Sequence, residues 1–321
     1  MAAALKVGFI GAGGMARSHM KGVAALGDVS IAAICDLDAV RAGDAAEEHG
    51  AKPYTDYRAM LKTERLDAAY VILPPFAHGD VELAVIDRGL PFLVEKPVAL
   101  SLDTAKRIRD AAARKNLVTS VGYQLRYMTS IQQAKALIGG RAPAMLVGHY
   151  WSAMIRGNWW QDLARSGGQV VEQATHIVDL MRYLGGDIVG VEARTAQRGG
   201  WNDPAITIPD VYVAGFAFAN GAFGTLTTCC LLDEWTIGID IMLREARLHW
   251  KIDELQVTPA KVAVPPAEQF PAGNIEAAFL NAVRGGDRAA ILSPYEDAAK
   301  TLAVTLAVNE SARKNAAVKV G

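Results

Sequence analysis

A glycine-rich turn between an apolar strand and a helix is the feature that most restricts the fold. Residues 5–10 have the composition of a buried strand, and Gly11, Gly13 and Ala16 follow with the spacing Gly-x-Gly-x-x-Ala. The first glycine allows a tight turn, the second lets a ligand approach the backbone, and the small third residue lets helix and strand pack closely. Free N–H groups at the helix N-terminus favour an anion there. The turn therefore predicts a dinucleotide-binding βαβ unit.

Asp36 strengthens this prediction, because it ends the second apolar strand twenty positions after Ala16. A carboxylate at this point accepts hydrogen bonds from the ribose hydroxyls and repels a 2′-phosphate, which favours NAD over NADP. Arg41 lies one turn further on and would reach a 2′-phosphate, so NADP stays open as an alternative. The simpler interpretation is a glycine-rich turn beside a solvated aspartate, which the strand–turn–helix context disfavours.

Strand and helix patterns divide the chain into two domains. Apolar strands separated by amphipathic helices predict a parallel sheet covered on both faces, and hence an α/β Rossmann domain over residues 1–122. After residue 122 the strands cluster, which predicts an α+β domain over residues 123–321 with an open, mainly antiparallel sheet. We expect this second domain to bind substrate and to oligomerise. The predicted strands are 5–10, 30–35, 68–73, 92–94, 117–121, 145–151, 188–197, 211–218, 223–230, 236–243 and 247–251. The longer predicted helices are 38–49, 77–88, 101–115, 127–138, 169–184, 275–284 and 295–315.

Charge and cysteine content exclude several classes of partner. With 33 basic and 34 acidic residues the net charge is -1, so there is no electrostatic basis for binding nucleic acid, and no polybasic run suits a membrane surface. No apolar run is long enough to span a bilayer. The three cysteines are odd in number and form no CxxC, which disfavours a disulfide framework or a thiolate zinc site. We therefore expect a protein of the reducing cytoplasm.

Four segments together resemble the family of glucose–fructose oxidoreductase and inositol dehydrogenase, GFO/IDH/MocA. They are residues 7–16, Glu95-Lys96-Pro97, residues 122–127 and residues 167–179, and their order and spacing are more specific than any one motif. The resemblance implies a nicotinamide-dependent dehydrogenase or reductase acting on a CH–OH group of a polyol, sugar or cyclitol. Separately, the apolar strands of the second domain predict a homodimer or homotetramer, because an open sheet face must be covered.

Lys96, His176 and Glu172 are the catalytic residues that the resemblance implies. An imidazole titrates near neutrality, so His176 suits a general acid/base that takes a proton from an alcohol and returns it. The Lys96 ammonium would hydrogen-bond the reacting hydroxyl or polarise the carbonyl. Glu172 is four residues before His176 and is expected on the same helical face, where it would orient the ring or the substrate. The alternatives are a packed histidine and a strand-end lysine without a role in catalysis.

The remaining site residues follow from the motif and the resemblance. Aromatic and guanidinium groups suit polyols, although the tryptophans equally suit a core or an interface, and His78 equally suits a helix start. The resemblance implies a cis Lys96–Pro97 peptide and no metal. Residues expected along the cofactor are Gly11, Gly13, Gly14, Met15, Ala16, Asp36, Leu73, Pro74, Pro75, His78, Glu95, Lys96, Pro97 and Gln124; residues expected at the substrate are Lys96, Tyr123, Arg126, Arg156, Trp160, Glu172 and His176.

One departure from the family pattern concerns the substrate. Glu172 and Ala174 stand where the family has an aspartate and a glycine, so the reach of the carboxylate differs, which affects the substrate subclass more than the reaction.

Two other functions fit the same scaffold. An NAD-dependent glycoside-cleaving enzyme would show no net reduction of the cofactor. A cofactor- or sugar-sensing regulator would have no turnover and would need neither Lys96 nor His176.

Overall fold

The structure, a computed structural model, describes residues 4–157, 159–252, 254–270 and 273–321. The strands are β1 (Leu5–Ile10), β2 (Val29–Cys35), β3 (Lys52–Tyr54), β4 (Ala68–Val71), β5 (Phe92–Val94), β6 (Thr119–Val121), β7 (Met145–Ala153), β8 (Ile188–Ala196), β9 (Val211–Phe218), β10 (Phe223–Cys229), β11 (Leu231–Met242), β12 (Arg247–Lys251), β13 (Glu254–Thr258) and β14 (Val318–Lys319). The α-helices are α1 (Gly14–Ala24), α2 (Ala39–His49), α3 (Tyr57–Thr63), α4 (Asp80–Asp87), α5 (Leu102–Arg114), α6 (Thr129–Ile138), α7 (Leu163–Ser166), α8 (Gln169–Glu172), α9 (Thr175–Gly185), α10 (Ile275–Val283) and α11 (Tyr295–Lys314). No helix within the described ranges combines the length and the apolar composition needed to cross a bilayer.

The first compact unit comprises Met1–Gly122 and Asn274–Asp297. Its sheet has the order β3-β2-β1-β4-β5-β6, and every pair of neighbouring strands is parallel. This confirms the predicted Rossmann sheet. Strand β3 is not among the predicted strands, because a three-residue edge strand that contains a proline shows no alternation of apolar and polar residues.

An aromatic cluster explains why the segment from 274 to 297 belongs to this unit, although the sequence placed it in the second domain. The Tyr70 ring on β4 stacks on Phe9 of β1 with 4.5 Å between ring centroids. Phe279 of α10 meets the same tyrosine edge to face at 5.6 Å. All three side chains are fully buried, so α10 completes the core of the first unit.

The second compact unit comprises Tyr123–Gly273 and Ala298–Gly321. Its sheet has the order β13-β12-β11-β7-β10-β9-β8-β14, with a parallel β7–β10 pair and antiparallel pairs elsewhere. This confirms the mainly antiparallel sheet. Helix α9 covers one face so closely that a Cβ added to Gly148 of β7 would lie 2.7 Å from Ile177. The other face carries exposed apolar side chains, described below.

The helix predicted over residues 169–184 is interrupted between Glu172 and Thr175, so that prediction is corrected. The Ala174 N–H donates five residues back, to the Gln169 carbonyl at 2.8 Å, and the His176 N–H donates three residues back, to Gln173 at 3.3 Å. A widened turn is thus followed by a tight one. Glu172 and His176 therefore do not have the regular four-residue relation of one continuous helix.

Candidate functional site

The turn after β1 has the open backbone that an anionic ligand requires. Gly11 has φ +103°, and a Cβ there would lie 2.0 Å from the Ile72 carbonyl oxygen, so the position accepts only glycine. A Cβ on Gly13 or Gly14 would meet no described atom within 4 Å. Gly13 is also the N-cap of α1 and provides no side chain to satisfy the first N–H groups. The open space beside Gly13 and Gly14, together with the uncapped N–H groups, fits a pyrophosphate.

Asp36 is fixed beside this turn by two backbone donors. The Ala12 N–H donates to Asp36 Oδ2 at 2.9 Å, and the Asp38 N–H donates to Oδ1 at 3.0 Å. Arg41 lies 3.8 Å from the Asp36 carboxylate but bonds Asp38 at 3.1 Å. The guanidinium is therefore engaged by two carboxylates and is poorly placed for a 2′-phosphate, whereas the Asp36 carboxylate suits ribose hydroxyls.

His78 and the residues after β4 form the start of a helix. Leu73 and Pro74 are half-buried, and Pro75 begins a short 3-10 helix. The His78 Nδ1 lies 2.6 Å from Glu82 Oε1, while Glu82 Oε2 accepts the Gly79 N–H at 2.6 Å just before α4. These contacts fit the helix-start interpretation of His78, and its role at the cofactor stays a prediction.

Lys96 follows β5, at the carboxyl edge of the parallel sheet, where ligands bind in such folds. The lysine is half-buried, and the Lys96–Pro97 peptide is cis, as the resemblance implies. The Lys96 backbone N–H donates to Glu95 Oε2 at 2.8 Å. Glu95 itself is buried, and its other oxygen lies 3.0 Å from the Nε2 of His19, a residue to which no sequence motif points.

His176 lies in the first turn of α9, after the interruption described above. The Tyr123 ring meets the imidazole edge to face, with 5.9 Å between centroids, and the Tyr123 hydroxyl lies 2.8 Å from Thr175 Oγ1. Burial raises the pKa of the Tyr123 phenol, and the Asp179 carboxylate raises it further, so the hydroxyl stays protonated. Tyr123 is 1% exposed, which makes it a support for the imidazole rather than an open contact surface for a ligand.

Glu172 is held by Trp160. The Trp160 indole N–H donates to Glu172 Oε2 at 2.7 Å, and the indole is 1% exposed in a cluster with Ile206, Ile208 and Cys230. Trp160 therefore occupies a core position, one of the two that the sequence left open. The longer glutamate side chain, where the family has aspartate, ends at this indole.

Arg126 is buried in an ion pair instead of facing open space. Its guanidinium donates to both oxygens of Asp179, at 2.7 and 2.6 Å, and Thr301 donates to the same carboxylate at 2.9 Å. Arg156, in contrast, is exposed and lies over the Trp201 ring at 4.6 Å. Gln124 is half-buried in the short 3-10 helix Gln124–Tyr127.

Two other kinds of reactive site find no support among the described residues. No group of three or more His, Cys, Asp or Glu side chains there has the arrangement of a metal site. Burial raises the pKa of the Cys35 and Cys230 thiols to about 12, with a contribution from neighbouring carboxylates, so these sulfurs are not activated nucleophiles.

Comparison with known proteins agrees with both units. The model of the oxidoreductase family GFO/IDH/MocA, with an NAD-binding Rossmann fold, matches residues 5–123, and that of the GFO/IDH/MocA C-terminal domain matches residues 141–248. An uncharacterized protein of Schizosaccharomyces pombe is 30% identical over 309 residues, covering 83% of this chain and 75% of that protein.

Two further similarities concern proteins with named activities. Inositol 2-dehydrogenase of Rubrobacter xylanophilus is 28% identical over 234 residues, covering 70% of this chain and 64% of that enzyme. A structure of levoglucosan dehydrogenase in complex with NADH superposes with a TM-score of 0.86 at 21% identity, covering 99% of both chains. At that identity the structural likeness shows the fold alone.

Proposed function

Because the chain belongs to the GFO/IDH/MocA family of NAD-binding oxidoreductases, we propose that it is a dehydrogenase or reductase of a sugar, sugar derivative or cyclitol. The reacting group is a secondary alcohol or the corresponding ketone. Support for this substrate class comes from the inositol and levoglucosan dehydrogenases that are similar to this chain in sequence. The observation that carries the proposal is the open Gly13–Gly14 backbone beside the fixed Asp36 carboxylate, which fits a dinucleotide pyrophosphate and ribose.

The bound nicotinamide supplies the hydride chemistry, and the chain supplies proton transfer, orientation and electrostatics. His176 removes the proton of the alcohol during oxidation and returns it during reduction. The edge of Tyr123 and the position in the first turn of α9 limit the orientation of the ring. The Lys96 ammonium donates a hydrogen bond to the reacting oxygen and stabilises the negative charge that develops on it.

Glu172 orients the substrate or the His176 ring from its position on the Trp160 indole. Since the indole N–H occupies one side of Oε2, the carboxylate keeps one orientation and can accept a hydrogen bond from a substrate hydroxyl. Polyols present several such hydroxyls, and this agrees with the proposed substrate class.

The test is reduction of NAD, followed by the absorption of the reduced nicotinamide, with a panel that includes myo-inositol and levoglucosan. His176→Ala is expected to lower kcat about 10²–10⁴-fold, the usual contribution of a general base, with little change in NAD affinity. His49→Ala, at the end of α2, is the matched control and should retain full turnover. Unchanged turnover in His176→Ala would reject the assignment.

The same assay separates the two other functions. Substrate cleavage without net reduction of NAD would indicate the glycoside-cleaving enzyme. Binding of NAD without turnover of any compound in the panel would indicate the regulator.

Lys96→Met removes the ammonium but keeps much of the apolar stem, and it should lower kcat more than it raises the KM for NAD.

A homodimer or homotetramer is proposed from the uncovered face of the second sheet. Phe223 is 67% exposed there, and Met145, Trp151 and Val213 are exposed as well. An apolar sheet face of this kind is stabilised by a second layer, for which another copy of the chain is the simplest candidate. Val213→Lys should shift the mass measured by light scattering toward the monomer, and an unchanged mass would place the contact elsewhere. A cytoplasmic location stays a prediction.

A further inference from the structure

Three ionisable side chains that the proposed mechanism does not use meet in the interior of the first unit. His19 of α1 is 3% exposed. Its Nδ1 lies 2.6 Å from Glu276 Oε1, and its Nε2 lies 3.0 Å from Glu95 Oε1. Glu276 belongs to α10, and Glu95 directly follows β5. Three elements that are distant in the sequence therefore converge on one imidazole.

The geometry favours an imidazolium. A neutral imidazole has one N–H and one lone pair, so one of its nitrogens would oppose a carboxylate lone pair. With both ring nitrogens protonated, His19 donates to Glu276 and Glu95 together. Burial lowers the pKa of His19, but the hydrogen bonds and charges of Glu276 and Glu95 outweigh it and raise the pKa to about 9.

Neighbouring backbone leaves the two carboxylates little freedom. A Cβ on Gly122 would lie 2.5 Å from Glu95 Oε1, and a Cβ on Gly22 would lie 3.0 Å from the Glu276 carboxyl carbon. Tyr70 of β4 also lies against the imidazole, at 6.2 Å between ring centroids. Burial raises the pKa of its phenol well above 10, so Tyr70 stays neutral beside the ion pairs.

We propose that His19 is a positioning residue for Lys96 and acts through Glu95. One Glu95 oxygen accepts from His19 while the other accepts the Lys96 backbone N–H at 2.8 Å. The His19 imidazolium thus fixes the Glu95 carboxylate. Glu95 in turn holds the backbone N–H of Lys96, and so the position from which the lysine side chain extends. Nδ1 makes the shorter contact, to Glu276, so deprotonation removes the proton on Nε2. The attractive contact of Nε2 with Glu95 then becomes repulsive, which loosens this peptide. The inference rests on the proposed role of Lys96.

The first test observes the proton directly, in the full-length protein with NADH bound. Histidine and lysine labelled with ¹⁵N report the two His19 ring nitrogens and the Lys96 amide by NMR, with assignments from His19→Gln and Lys96→Met. We expect both ring nitrogens to carry protons at neutral pH, and the Lys96 amide shift to titrate with the ring at a midpoint of about 9. The proposal is overturned if His19 is neutral at pH 7, or if the Lys96 amide shift does not change as His19 titrates.

The second test removes one carboxylate. Glu276→Gln keeps the size and one acceptor oxygen, so the His19 pKa should fall toward its ordinary value of about 6.5. The Lys96 amide midpoint should fall with it, and kcat with myo-inositol or another substrate found in the panel should drop about tenfold above that midpoint, with the KM for NAD nearly unchanged. Glu47→Gln, exposed on α2, is the matched control. An unaltered pH profile in Glu276→Gln contradicts the positioning role.

The two proposals fail in different ways. If Lys96→Met retains full turnover, the proposed catalytic role of the lysine is wrong, although the His19 titration is still observed. If wild-type His19 is neutral while Lys96→Met is inactive, the positioning role is wrong and the catalytic role stands. The wild-type spectra decide the positioning proposal even when the Glu276→Gln protein does not fold.

Discussion

Replacement of Arg126 by leucine distinguishes a structural arginine from a substrate-binding one. Arg126 and Asp179 are 3% and 1% exposed, and their two hydrogen bonds measure 2.7 and 2.6 Å. Arg126→Leu removes the guanidinium that donates two hydrogen bonds to this buried carboxylate, and Thr301 still donates to it. Removing one partner of such a pair costs about 3–5 kcal/mol of unfolding free energy, roughly a 10²- to 10³-fold or larger change in the folding equilibrium.

The assay is urea unfolding followed by far-UV circular dichroism, with Arg313→Leu, exposed at the end of α11, as the control. The double variant Arg126→Leu/Asp179→Leu removes both charges and should be more stable than Arg126→Leu, because no unpaired ion stays buried. The reasoning is refuted if Arg126→Leu loses less than about 1 kcal/mol, the scale of an exposed pair. Unchanged stability together with a raised KM for the polyol would support the substrate role predicted from the sequence.

Three further predictions concern the first unit. Gly11→Ala places a methyl group 2.0 Å from the Ile72 carbonyl oxygen. The unfolding free energy measured in urea should therefore fall by more than about 2 kcal/mol. A variant as stable as the wild type would contradict the tight turn. Asp36→Ala should raise the Kd for NAD measured by titration calorimetry about tenfold or more, whereas exposed Asp44→Ala should not. The His19 pKa is raised from 6.5 to about 9 in the folded protein. The contribution of protonated His19 to the unfolding free energy is therefore fully present below pH 6.5 and is lost as the pH rises through 9. The unfolding free energy should fall by about 3 kcal/mol across that window in wild type and not in His19→Gln.

Much of the first unit was predictable because its signals are local. The strand–glycine–helix pattern around Gly11 and Gly13 and the helix start at Ser101 each depend on neighbours in the sequence, whereas the cis Lys96–Pro97 peptide was implied by the family resemblance. Ser101 accepts from the Thr104 N–H at 3.2 Å, as the residue types predict. The family resemblance, carried by short ordered motifs, predicted the GFO/IDH/MocA membership.

The residue contacts within the second unit were less predictable. Periodicity predicted one helix over 169–184, but the widened turn at Ala174 depends on which carbonyl the backbone N–H reaches, and composition does not encode that choice. The short strands β13 and β14 were also missed, because each is defined by its partner strand and not by its own pattern.

The order and spacing of residues along the chain were enough to predict the fold class, the cofactor-binding turn and the family. Which charged groups pair in the interior became known from the folded arrangement of the helices and strands. Arg126 pairs with Asp179, which lies 53 residues away in the sequence, and His19 pairs with Glu276, which lies 257 residues away. A buried charge takes the partner that the fold brings near, and this proximity follows from the packing of whole elements around a core, which no local pattern of residues encodes.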